Sequence, residues 1–109
     1  MHELGITRSV VAICAEHANG ARVTRVTLEI GQLSALLPEA VRFCFDVCAT
    51  GTAVAGAQLD IIEIPGLARC RQCQQEVPLA QPFGRCECGG NDLELIAGHE
   101  LKVKEMEIE

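Results

Sequence analysis

The segment CRQCQQEVPLAQPFGRCECGG, Cys70 to Gly90, sets the tightest limit on how this chain folds. A C-x₂-C pair is followed, after twelve intervening residues, by a C-x-C pair. From Leu67 to Asn91 the chain holds these four cysteines, two prolines, several glutamines and few large apolar side chains. Such a stretch cannot bury enough surface to order itself. Thiolates on two facing turns supply the four tetrahedral ligands that zinc prefers, and binding then provides the missing folding free energy. Gly89 and Gly90 follow the second pair, where a tight turn needs positive φ. Four thiolates with no open position predict a structural rather than a hydrolytic site. An S₄ iron centre of the rubredoxin kind uses the same ligands, so spacing alone leaves the metal open. Four unligated thiols or a redox pair are the blander alternatives.

A zinc ion with four thiolates carries a local charge of about −2. Arg69, Arg71 and Arg85 each adjoin a cysteine and are expected to offset it. That accounts for three of the nine basic residues, and the formal net charge is −6. With three Phe and neither Trp nor Tyr, the chain lacks both the basic and the stacking footprint of a nucleic-acid binder. Cys14, Cys44 and Cys48 fall on apolar helical faces, where a thiol packs as a small hydrophobe. Cys44 and Cys48, four apart, have metal ligation as their second reading. His17 is expected to be structural, and His99, near the insert, to be a strand-end residue or a spare ligand.

Outside the insert the pattern is that of a compact α+β domain. Ile6, Val10, Ile13, Cys14 and His17 recur at helical steps, and Asn19-Gly20 ends that helix. Val26, Leu28 and Ile30 alternate with Thr27 and Glu29 as in a strand, closed by Gly31. Pro38 opens a second helix with Val41, Cys44, Phe45 and Cys48 as its buried stripe. Leu59 to Ile64 forms a second strand, and Leu101 and Val103 begin a last one whose phase changes near Glu105. The strand–helix–strand portion predicts parallel strands and a right-handed crossover. The expected fold is a small three-stranded mixed sheet with two helices, over residues 1–66 and 98–109. A zinc-ribbon-like domain, 67–97, is inserted into it. The Met-His-Glu start shows no positive secretory leader, and no apolar run reaches membrane-spanning length. With cysteines read as thiols or ligands, a cytoplasmic protein with no membrane contact is expected.

The start, MHELGITRSVV, places His2 directly before the first helix. A histidine in position two can offer its imidazole, its own backbone nitrogen and the terminal amine in fused chelate rings. Nitrogens in one plane suit Ni(II) or Cu(II). Glu3 can add a carboxylate, or favour the positive end of the first helix. On local chemistry alone, an exposed end with a chance histidine remains the simpler account.

The order of motifs goes further. An MHE start, a helix reading ITRSVVAICAEHA, a strand ending LEIGQLSAL, and a late CxxC insert followed by G-x-E-L resemble the HypA/HybF family of hydrogenase maturation nickel metallochaperones. The resemblance runs through essentially the whole chain. It implies that Met1, His2 and Glu3 form the nickel site, with His2 indispensable, and that Cys70, Cys73, Cys86 and Cys88 hold a structural zinc. It implies transient Ni(II) cargo, a GTPase partner (HypB), delivery to the [NiFe]-hydrogenase large subunit, and no catalysis. A monomer or homodimer is expected. Two positions depart from the family pattern. The second zinc half-site is Cys86-Glu87-Cys88 rather than C-x₂-C. The loop before the second helix reads Leu36-Leu37-Pro38, so the acid nearest to it is Glu39. No Ser/His/Asp arrangement, phosphate-cradling loop or carboxylate pair is present to support catalysis. The competing class is a zinc-ribbon module that binds a protein or a nucleic acid.

Overall fold

The computed structural model describes residues 2–109; Met1 and the side chain of His2 lie outside the described residues. In chain order the elements are α1 (His2–Ala18), β1 (Val23–Gly31), α2 (Pro38–Ala49), β2 (Gln58–Ile64), β3 (Gly66–Cys70), β4 (Glu76–Leu79), β5 (Leu93–Ala97) and β6 (Leu101–Ile108). They form two compact units. The first takes in the chain up to Glu29, then Leu36–Ile62 and Lys102–Glu109; the second is Ile30–Ala35 with Glu63–Leu101.

The first sheet has the order β2-β1-β6. The Glu109 amide donates to the Arg22 carbonyl at 2.9 Å, Thr24 Oγ1 to the Glu107 carbonyl at 3.2 Å, and Lys102 lies 3.7 Å from Glu29. Partners move back along β6 as β1 advances, so this pair is antiparallel. Arg25, early in β1, meets Asp60, early in β2, at 2.5 Å. Gln32, just past β1, donates to the carbonyl of Ile64 at the end of β2 at 2.8 Å. That pair therefore runs in one direction, as a helical crossover requires. The result is the expected mixed sheet with two helices. Burial along β6 falls on Leu101 and Val103, then on Met106. The alternation thus shifts phase across Lys104 and Glu105, as the sequence predicts.

The core of this unit is built on β1, where Val23, Val26 and Leu28 are fully buried, and on Val41 and Phe45 of α2. The α1 stripe is rotated from the predicted one. Thr7, Val10, Val11, Cys14 and Ala18 are buried, whereas Ile13 is 47% exposed and His17 is exposed. The expected structural role for His17 therefore has no burial behind it. Positions 7, 11, 14 and 18 are as regular a helical stripe as the predicted one, and their smaller side chains let the backbones approach. On α2 the buried positions are Val41, Phe45 and Ala49; Cys44 and Cys48 sit at the stripe's edge, half-buried. α1 closes as expected: Asn19 has φ 51° and Gly20 φ 92°, the left-handed turn those residues permit.

The second sheet, β4-β3-β5, is an addition to the expected architecture. β3 pairs antiparallel with both neighbours, Ala68 opposite Val77 on one side and Leu95 on the other. Of the side chains between 67 and 97, those of Ala68, Cys70, Leu79 and Cys86 are buried, and two of the four are thiols. Where the chain leaves β5, Gly98 has φ +102°, and a Cβ there would lie 2.5 Å from the Gly66 Cα. Only glycine fits that approach.

Candidate metal centre

Two hydrogen-bonded turns present the four insert cysteines. In the first, the Cys70 amide donates to the Gln75 carbonyl at 2.9 Å and the Gln74 amide returns to the Cys70 carbonyl at 2.8 Å. Gln74 takes φ 67° to close it. In the second, the Cys86 amide donates to the Gly90 carbonyl and the Gly89 amide to the Cys86 carbonyl, both at 2.9 Å. Gly89, at φ +91°, supplies the positive φ predicted for this knuckle; Gly90 does not share it. The Gly90 amide instead points at Cys88 Sγ, 3.4 Å away.

The sulfurs converge. Cys70 and Cys88 Sγ are 3.6 Å apart, Cys73 and Cys86 Sγ 3.5 Å, and all four lie within 4.8 Å of one another. A tetrahedron with Zn–S bonds of about 2.3 Å has S···S edges of about 3.8 Å. The C-x-C pair therefore brings its sulfurs within reach of one tetrahedral ion together with those of the C-x₂-C pair. His99 is not in this group, which among the described residues is the only cluster of metal-binding type.

Their acid–base chemistry also asks for a cation. The Cys73 amide, then the Gln72 amide and the neighbouring thiols, lower the Cys70 pKa to about 7 against the effect of burial. The Gln75 amide favours a thiolate at Cys73, but burial and the thiols of Cys86, Cys88 and Cys70 push it up to about 12. With Cys70 favouring the thiolate, Cys73 and Cys88 are pushed up beside it. A divalent cation offsets that upward push. Two of the three flanking arginines also have acidic partners of their own. Arg69 lies 3.8 Å from Glu76 and Arg71 3.7 Å from Asp92, both as exposed ion pairs.

At the other candidate site, Met1 and the His2 side chain lie outside the described residues, and Glu3 occupies the first turn of α1. Its Oε2 accepts a hydrogen bond from the Leu37 amide at 3.2 Å. Glu3 thus serves the positive end of the second helix while standing in the first turn of the first. The sequence held a signal for this. Leu37 caps α2 without a side-chain acceptor of its own, with Pro38 behind it, so the acceptor has to come from elsewhere. Glu39 lies exposed in the first turn of α2.

A two-helix, mixed-sheet scaffold joined to a four-thiol knuckle pair defines a small α+β protein with a zinc-ribbon-like centre. The family model described as hydrogenase/urease nickel incorporation, metallochaperone, HypA, matches residues 1–108. The hydrogenase maturation factor HypA of Nostoc punctiforme is 62% identical over 109 residues, all of this chain and 96% of that protein. That of Geotalea uraniireducens is 47% identical over the full length of both. The solution structure of the Ni metallochaperone HypA from Helicobacter pylori superposes with a TM-score of 0.71 at 27% identity, covering 97% of this chain and 96% of that one. The chain belongs to the HypA family, the metallochaperones of hydrogenase maturation.

Proposed function

We propose that this chain binds Ni(II) through Met1, His2 and Glu3 and delivers it for assembly of the [NiFe]-hydrogenase active site, with zinc held by Cys70, Cys73, Cys86 and Cys88. Membership of a nickel-incorporation family over the whole chain is the observation that carries this reading. The convergence of four sulfurs at tetrahedral spacing supports zinc as the resident ion. That ion supplies folding free energy to the insert and leaves no position open for substrate. The division of labour follows the chain: residues 1–66 and 98–109 handle nickel, and 67–97 bind zinc. The protein is not an enzyme. It acts in the cytoplasm as a monomer or homodimer, with the GTPase HypB and the hydrogenase large subunit as partners. Among the described residues no helix is long and apolar enough to cross a membrane.

Delivery requires a site that releases its cargo. An imidazole and an α-amine both compete for protons near neutrality, so lowering pH through roughly 7 to 6 weakens nickel binding. The test is a metal count on the native protein and on His2→Ala. One tightly held zinc is expected in both, with nickel taken up by the native protein alone. Nickel uptake by His2→Ala equal to the native protein's overturns the assignment.

A further inference from the structure

The first unit leaves apolar side chains on its surface along one line. Leu37, Phe43 and Val47 are 65%, 71% and 56% exposed. With Ala40 and Cys44 they follow the 3–4 spacing of a helix face, opposite the one that buries Val41, Phe45 and Ala49. That face forms one wall of a groove of about 360 Å³, lined by Ala40, Phe43, Cys44 and Val47 of α2 and by Glu3 and Leu4 of α1. Fold stability does not explain an aromatic side chain in water there, since Phe45 fills the core two residues on.

The surroundings of the groove say what fits it. Glu39 and Asp46 stand four before and three after Phe43, both exposed on the same side of α2, and Glu3 is in the opposite wall. The one basic residue of α2, Arg42, is turned away, donating to the Leu59 carbonyl at 2.7 Å. The rim is therefore acidic around an apolar floor. Leu37, Phe43 and Val47 together expose on the order of 350 Å². A lasting dimer removes about 800 Å² per partner. This patch suits a transient contact.

We infer that the α1–α2 groove docks an amphipathic segment of a partner protein whose apolar anchors are flanked by Lys or Arg. The inference rests on the nickel-delivery reading in one respect: Glu3 belongs to both the groove wall and the proposed nickel site, so a partner docked here lies at the point of metal exchange. Helix-in-groove recognition gives the anchors, and the acidic rim excludes segments with acidic flanks.

The test uses the zinc-loaded full chain, ¹⁵N-labelled, with two synthetic amphipathic peptides that share their leucines. One carries lysine and the other glutamate on the polar face. The lysine peptide is expected to shift the amide resonances of Ala40, Phe43 and Val47 and to bind at least about tenfold more tightly than the glutamate peptide. Phe43→Asp should weaken that binding about tenfold or more, with zinc and nickel contents unchanged. The double variant Glu39→Lys, Asp46→Lys should reverse the preference between peptides. Equal binding of the two peptides, shifts confined to other surfaces, or an inert Phe43→Asp overturns the inference. So does concentration-dependent self-association through these residues, which would make a second copy the occupant. His2→Ala separates the two readings, because it should lose nickel while keeping the peptide.

Discussion

Removing the ion from the four-thiol centre should unfold β3, β4 and β5 while α1 and α2 persist. The insert's own apolar burial is small. Fully burying a leucine such as Leu79 contributes about 2 kcal/mol and an alanine such as Ala68 about 1 kcal/mol. The other two buried side chains, Cys70 and Cys86, belong to the four-thiol group itself. Zinc bound by small four-ligand domains contributes about 10–16 kcal/mol near neutral pH. Ordering the backbone costs about 1 kcal/mol or more per residue, so without the ion the apolar contribution is far too small. The assay is amide hydrogen exchange, read segment by segment, before and after treatment with a strong zinc chelator near pH 7. Amides of Ala68, Val77 and Leu95 should lose protection, while those of Val10, Val11, Val41 and Phe45 keep theirs. Protection of β3 that survives demonstrated metal loss would refute the reasoning, because some other interaction would then hold the sheet.

Two further outcomes follow from side chains in the first unit. Phe45→Ala should cost about 3–5 kcal/mol in urea denaturation, because Phe45 is 1% exposed, whereas Phe43→Ala, at 71%, should stay within about 0.5 kcal/mol. Comparable costs for the two would mean that the α2 faces are misassigned. The hydrogen bond from Arg25, then that from Gln58, holds the Asp60 carboxyl below the usual carboxylate range. A depressed pKa stabilises above the unfolded value of about 4 and ceases to do so as pH falls through the folded value. Asp60→Asn should therefore be less stable than the native chain at pH 7, with the gap closing below about pH 4. Taken as a difference between the two proteins, acid's effect on the thiolate centre cancels; a gap that ignores pH would remove Asp60 as its source.

Most of the scaffold was legible because its signals are local. Asn19-Gly20, Pro38 and the alternation from Val26 to Ile30 each fix a boundary through backbone sterics or side-chain period. The α1 stripe was misread because two apolar lines overlap on that helix. Weight of hydrophobicity favours Ile6 and Ile13, whereas close packing favours Thr7, Val11 and Ala18. The strands of the insert left little trace, since thiols occupy positions where a free-standing sheet would carry leucine or valine. The meeting of the four thiols was readable for the opposite reason: two closely spaced cysteine pairs, each in a turn closed by a positive φ at Gln74 or Gly89, can bring their sulfurs to one point. Sequence adjacency sets Arg69 and Arg71 beside cysteines, while strand pairing places Glu76 opposite Arg69, and Asp92 lies within reach of Arg71. Long-range register decides such pairs, and no local pattern encodes it.

The hydrogen bond from the Leu37 amide to Glu3 Oε2 bears on how fast a cation can leave the chain's beginning. Any cation that draws on that oxygen has the amide as an internal rival, tethered and always at hand. As a metal–oxygen bond lengthens, the amide can close behind it, so the carboxylate is never stripped of partners on the way out. Such a rival lowers affinity and shortens residence together. For a cation held as proposed, the head of a helix would then set the pace of release.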